Sequence, residues 1–439
     1  MQGRIVTVDF SKKAGKLKSL LCSHALTHSE LPFFYDLTDE YSELSVPTVR
    51  IGAGEYMSLG VQDVFPDFYL DPRFESSYNF TVLDTVASLI KSQGREIFLS
   101  LGERPDTACS SPRNLVPRDV EKWAEICVGI IRHLNEGWGN GFKYGVKQIE
   151  IWPGADSKAS FRGTPEEYYE LYSVTAKRLK ERFPRLQIGG YSADGFYALN
   201  HVDGTEEQKR SIDFLEGFLA YTSEKKAPLD FLSWKCYATY PEELSLHANY
   251  AASYLINFGF KRAKSIVTEF NLRSNDCSYV FDKSYPAFLA SSLISAEKSG
   301  IDMMFYSDFS PLSPRNALYS FDDRKTLRRY GAYGAASAYA ELYRIGTAVD
   351  SGEDYRRELY TLAAGGKDKG ALLLVTSDFK GQLTVDLKNC PFSRCSVKGM
   401  TGGGERGVGF STVKDGISVA SGRINLKAGP HQIYLISFE

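Results

Sequence analysis

The residues of this chain best placed to do chemistry are carboxylates that close short apolar runs. Glu55, Glu103, Asp156, Asp194, Glu269 and Asp308 each follow such a run. A carboxyl fixed at a strand end can act as a general acid, a general base or a nucleophile, depending on how its surroundings set its charge. The same position also suits a helix cap, and Asp156 or Asp194 alone reads first in that way. Glu269 differs. In VTEFN it lies between β-branched Val267 and Thr268 and the ring of Phe270, so it projects from a buried strand with little reason to cap anything. The stretch IEIWPGADS raises the opposite question, because its apolar strand ends in Pro153 and Gly154 where a catalytic acid is often found.

The elements that must position these groups repeat regularly. Eight short apolar runs end near Leu26, Gly54, Glu103, Asp156, Asp194, Ala238, Asn271 and Phe309, and amphipathic stretches separate them. Thr164, Pro165 and Glu167 form a capping-box signature that opens one helix, and Pro184 closes it. Asn79 and Gly94 bracket another. Eight strand and helix alternations favour a closed (β/α)8 TIM barrel over an open doubly wound sheet, which would carry a dinucleotide or phosphate fingerprint that this chain lacks. After Gly346 the texture changes to short alternating strands, as in ALLLVTS, QLTVDL and HQIYLISFE. The expected organisation is an α/β barrel over 16–345 and a C-terminal β-sandwich over 346–439, with residues 1–15 adding a strand to the sandwich.

Bulk properties narrow the partners. Lys and Arg total 52 against 54 Asp and Glu, so no charge excess favours nucleic acid or an anionic membrane. No apolar run is long enough to span a bilayer, and no leader is evident at the N-terminus, so a cytoplasmic location is expected. Seven scattered cysteines without a C-x-x-C pair suit a reducing compartment and argue against a disulfide frame or a zinc site. No metal or organic cofactor is implied. The 27 Tyr, 27 Phe and 4 Trp exceed what a plain core requires and suggest rings on which sugar faces could stack.

QIEIWPGAD, the run from FRGTPEEYYELYSVTAKRLKERFP to LQIGGY, APLDFLSWKCYA, SIVTEFN and the opening IVTVDF together resemble glycoside hydrolase family 39, the β-xylosidase-like group of the clan A barrels. The likeness runs along nearly the whole chain with the motifs in order. It implies retaining hydrolysis by two glutamates, an acid/base after strand four and a nucleophile after strand seven, about 5 to 5.5 Å apart. Glu269 falls on the nucleophile position. The family's strand-four motif is Trp-Asn-Glu-Pro; here Trp152 is followed by Pro153, Gly154 and Ala155, which puts Gly154 on the acid/base position. Lys235 stands where relatives usually carry His in strand six, and Gly52 follows Arg50 where a sugar-contacting His is common.

Three readings follow. The first is an atypical retaining glycosidase in which Asp156, Glu103 or, less suitably because it lies deeper, Glu150 replaces the missing acid. The second is a carbohydrate-binding pseudoenzyme, and the third a structural module. The glycosidase reading is preferred. It assigns Glu269 as nucleophile and Asp156 and Glu103 as proton-donor candidates. Arg50, Trp152, Trp234, Lys235, Tyr237, Tyr306 and Asp308 are its substrate contacts. Lys235 serves as a counterion to Glu269 or as a contact for an acidic sugar or an anionic aglycone.

Overall fold

The computed structural model of the chain describes residues 3–24, 37–54, 57–103, 114–200, 204–274, 278–307, 309–311, 313, 315–322, 326–352, 354, 356–401 and 409–439. Its centre is a ring of eight parallel strands: Ser19–His24, Thr48–Gly54, Glu96–Leu101, Gln148–Ile151, Gln187–Ala193, Phe231–Ala238, Lys264–Leu272 and Met303–Tyr306, numbered one to eight below. Neighbours follow chain order, and strand one pairs with both strand eight and strand two, which closes the barrel. The expected (β/α)8 architecture is therefore the observed one.

Helices Thr81–Ser92, Val120–Asn135, Pro165–Arg182, Glu206–Glu224, Glu243–Asn257, Tyr285–Glu297 and Gly331–Ile345 surround the barrel. The helix at Pro165 starts as its sequence requires: the Thr164 hydroxyl accepts from the Glu167 amide at 3.2 Å, and the Glu167 carboxylate accepts from the Thr164 amide at 2.7 Å. Asn79 acts one residue outside the predicted cap. Its side chain accepts from the Thr81 amide at 3.2 Å, while Phe80 occupies the cap position.

A second sheet of nine strands curls into the accessory β-sandwich. Arg4–Lys16 lies inside it, antiparallel to Thr347–Asp350 and parallel to Gly381–Lys388. Val8, Leu372, Leu374, Val385, Ile436 and their neighbours form its own core. The opposite faces of the same strands, including Leu373, Val375 and Leu435, join the barrel's helix layer.

Alternation along the strands sorts the barrel interior into layers. Cys22, Phe98, Phe231, Ile266 and Phe305 fill an apolar floor. Above it sits a polar layer. Arg50 donates to Glu150 Oε2 at 2.5 Å through its terminal nitrogen and to Ser100 Oγ at 3.0 Å through Nε, and Ser100 donates to the same Glu150 oxygen at 2.7 Å. Ser192 and Thr268 share a hydroxyl contact at 2.7 Å. Above this layer the strands open into the mouth.

Candidate active site

Strand seven reaches the mouth through a bulge. Trp234 pairs with Val267 but the next residue, Lys235, pairs with Glu269, so Thr268 is an extra residue on that strand. Unbroken alternation from inward-facing Ile266 would send Glu269 into the helix layer. The extra residue instead leaves Thr268 and Glu269 both directed inward, and Phe270 turns out to pack on Phe288.

Glu269 is 2% exposed. Its Oε2 accepts from the Tyr237 hydroxyl at 2.9 Å, and Lys235 Nζ stands 3.6 Å from Oε1. Ser307 Oγ is 3.4 Å from the same tyrosine hydroxyl. Burial alone would raise the Glu269 carboxyl. The charges of Lys235 and Arg50, a smaller contribution from His24 and the Tyr237 hydrogen bond outweigh it and hold the group below its ordinary range. His24 is itself driven down to about 3 by burial and by Arg50, so at neutral pH it is uncharged and the effective cations are Lys235 and Arg50.

Strand four ends differently. After Ile151 the chain leaves the sheet, with Trp152 at φ 50° and Gly154 at φ 72°. A side chain at Gly154 would start in the left-handed region with its Cβ 2.9 Å from Ser160 Oγ. Trp152 is 1% exposed, its ring edge-on to Phe161 and its Nε1 donating to the Ser160 carbonyl at 2.8 Å. The predicted sugar wall is thus packed into the turn, and it borders a neighbouring cleft of about 330 Å³ shared with Glu103 and Trp123.

Among the other expected site residues, Lys235 and Tyr237 stand beside Glu269, and Arg50 lies beneath them in the polar layer. Trp234 follows the opposite face of strand six. It is fully buried between barrel and helices, edge-on to Phe196, and donates to Ser265 Oγ at 2.8 Å. Adjacent strand residues point to opposite faces, so Trp234 and Lys235 cannot both enter the mouth. Tyr306 is turned outward for the same reason, since Phe305 is inside; its hydroxyl meets that of Tyr285 at 3.0 Å. Glu103 is 4% exposed, and both its oxygens accept from the Gln62 amide, at 3.1 and 3.2 Å. Asp308 and Glu55 lie outside the described residues.

Asp156 lies in the strand-four turn, where its Oδ2 accepts from the Asp194 amide at 3.1 Å. Burial raises its carboxyl against the pull of that amide and of Lys235. It also borders a cleft of about 710 Å³ with Lys158, Arg210, Tyr169 and Phe214. Asp194, ranked as a cap from sequence, instead stands 4.0 Å from Lys235 Nζ, the same ammonium that faces Glu269. Glu150 sits under the mouth, as alternation from strand four suggests, locked to Arg50 and Ser100. The sequence contains these acids but not the register that brings them together. Among the described residues no group of three His, Cys, Asp or Glu side chains is arranged to hold a metal ion. No described helix is long and apolar enough to cross a membrane.

The sequence profile of glycosyl hydrolases family 39 matches residues 7–276. A β-xylosidase of Geobacillus stearothermophilus is 22% identical over 279 residues, which cover 56% of this chain and 51% of that protein. A β-xylosidase of Caldicellulosiruptor saccharolyticus is 26% identical over 201 residues, 42% of this chain and 39% of that protein. The chain spans about half or less of the length of these curated relatives. Among solved structures, a glucosidase from Croceicoccus marinus aligns with a TM-score of 0.77 at 21% identity, covering all of this chain and 99% of the other. A family 39 β-xylosidase from Caulobacter crescentus aligns with a TM-score of 0.70 at 15% identity over the full length of both. These structures support the fold.

Proposed function

This chain belongs to glycosyl hydrolase family 39, and from that premise we propose that it is an atypical retaining O-glycosidase with Glu269 as nucleophile and no carboxyl at the usual acid/base position, Gly154. The observation that carries this reading is the environment of Glu269: a buried carboxylate in the C-terminal half of strand seven, kept ionised by Lys235 and Arg50 and oriented by Tyr237. In the first step a Glu269 oxygen bonds to the anomeric carbon as the bond to the aglycone oxygen breaks, and in the second water displaces the carboxylate. Buried Arg50 supplies fixed positive charge beneath the carboxylate and needs no reorganisation during the reaction.

The relatives named as β-xylosidases support a pentopyranoside or a similar sugar in the glycone position. A missing strand-four acid would not penalise all aglycones equally. General acid assistance is worth about 100 to 10,000-fold, or about 2.7 to 5.4 kcal/mol. A phenolate or carboxylate leaving group needs little of it, whereas an alkoxide needs most. A binding-only reading rests on one observation, the turn at Gly154, where a side chain would be strained and its Cβ would crowd Ser160.

Hydrolysis of 2,4-dinitrophenyl β-xyloside and β-glucoside, with and without azide, separates the two. The glycosidase reading expects dinitrophenol release by the wild type, loss of release in Glu269→Gln, and a sugar product, or glycosyl azide where azide intercepts the intermediate, of retained configuration. Sugar binding by calorimetry with no release from any of these substrates supports the binding-only reading instead.

A further inference from the structure

The Gly154 position at the strand-four rim carries no carboxyl, yet a proton donor need not come from strand four if a neighbouring strand presents one beside the nucleophile. Strand five does so. Its register with strand six slips between Gly190 and Ala193, so that Ala193 pairs with Trp234. Asp194 follows at the tip, level with Lys235. Gly195 then turns at φ 89°, so close to strand six that a Cβ there would lie 2.9 Å from the Lys235 carbonyl oxygen. Only glycine allows this approach, and it fixes the end of strand five against the base of the lysine. The ammonium of Lys235 is shared by two carboxylates, 3.6 Å from Glu269 Oε1 and 4.0 Å from Asp194 Oδ1. Those distances cap the separation of the two oxygens at about 7.6 Å, a limit that includes the 5 to 5.5 Å typical of retaining pairs.

Building on the glycosidase reading above, we propose that Asp194 is the acid/base of this enzyme, donating its proton to the glycosidic oxygen as Glu269 attacks and recovering one from the water that later releases the sugar. The step balances. The carboxyl proton moves to the aglycone oxygen as its bond to the anomeric carbon breaks, and Glu269 forms the new bond to that carbon. The Asp194 carboxylate then takes a proton from water as the water oxygen displaces Glu269, and both carboxyls return to their starting state.

The surroundings of the two acids differ in the sense this division of labour needs. Glu269 is buried against cations, while the Asp194 side chain is 60% exposed where an aglycone and water can reach it. The groups that face Asp194 are Lys235 from strand six, Asp156 from the strand-four turn, Glu269 from strand seven and Glu207 from the helix Glu206–Glu224. Partial desolvation at the rim and the charges of Asp156 and Glu269 raise Asp194 above the ordinary carboxyl range against the pull of Lys235. Asp156, whose Oδ2 holds the Asp194 amide, is a positioning residue in this scheme.

The test compares wild type, Asp194→Asn and Asp156→Asn on a 2,4-dinitrophenyl and a methyl glycoside of the same sugar, with pH profiles. A 2-deoxy-2-fluoro glycosyl fluoride that traps the nucleophile serves as an independent readout. Asp194→Asn should lose about 100-fold or more on the methyl glycoside. It should keep the burst of dinitrophenol and regain turnover of the activated substrate with azide. The alkaline limb of its profile should vanish. Asp156→Asn should retain that limb but move it to lower pH, because a negative neighbour is removed. Equal losses on both substrates in Asp194→Asn, or a leaving-group-dependent loss in Asp156→Asn alone, overturn the assignment while trapping at Glu269 leaves the glycosidase reading standing. Absence of both trapping and dinitrophenol release in the wild type removes both.

Discussion

The rims at strands four and seven face each other across one barrel mouth and have been treated in opposite ways. At strand seven, one inserted residue turns a carboxylate inward, and a lysine, an arginine and a tyrosine hydroxyl hold it ionised. At strand four the sheet stops at Ile151, Trp152 is packed into a turn, and Gly154 stands in a left-handed backbone conformation that strains any side chain, with Ser160 Oγ 2.9 Å from where a Cβ would lie. A carboxylate nucleophile and a proton donor have different requirements. The nucleophile must be charged and fixed, so it depends on a built environment. The donor needs only a carboxyl of suitable acidity within reach of the leaving oxygen, so it can move to a neighbouring strand.

The largest test of that contrast is on the intact rim. Glu269→Gln should lower kcat on a dinitrophenyl glycoside by about 10,000-fold or more, as loss of a nucleophile does elsewhere; a loss below tenfold would mean that the strand-seven carboxylate is not used. The support below the rim comes next. Arg50→Met leaves the Glu150 carboxyl buried without its ion-pair partner and held only by Ser100, and should cost about 3 to 5 kcal/mol in equilibrium urea unfolding. Most of that should return in the Arg50→Met, Glu150→Leu double variant. Rebuilding the other rim should fail. Gly154→Glu places a side chain in the left-handed region at about 1 to 2 kcal/mol, with its Cβ against Ser160, and should not raise activity on a methyl glycoside. A gain there would show that the turn can still present an acid.

The subtlest effect is on pH. Lys235 lowers the Glu269 pKa from its ordinary 4.5, so Lys235→Met raises it. Glu269 acts as a carboxylate, so the acid limb of kcat/KM on the dinitrophenyl substrate should move to higher pH in the variant. The same sign applies to stability. The favourable interaction of ionised Glu269 is fully present above about pH 4.5 and is lost as pH falls through the lower folded-state value. An unmoved acid limb would mean that the lysine does not set the charge of the nucleophile.

The strands were readable because parallel barrel strands are buried on both faces and stand out as apolar runs between capped helices. Thr164 and Glu167 opened their helix at the predicted residue. The mouth was less readable, since facing depends on register. Trp234 and Tyr306 looked like sugar platforms by residue type, but each sits next to an inward-facing residue and is therefore outside the barrel. Glu269 faces inward only because of the extra residue at Thr268, which composition and periodicity do not show. Asp194 looked like a cap because nothing in SADG reveals that strand six will place an ammonium 4.0 Å away.

The most direct test of Glu269 as the nucleophile is to incubate the protein with 2-deoxy-2-fluoro xylosyl and glucosyl fluorides and locate any adduct by peptide mass spectrometry. The account predicts one sugar per chain, attached to Glu269 and absent in Glu269→Gln. An adduct on another carboxylate, or none with either reagent while the wild type still hydrolyses aryl glycosides, would contradict it.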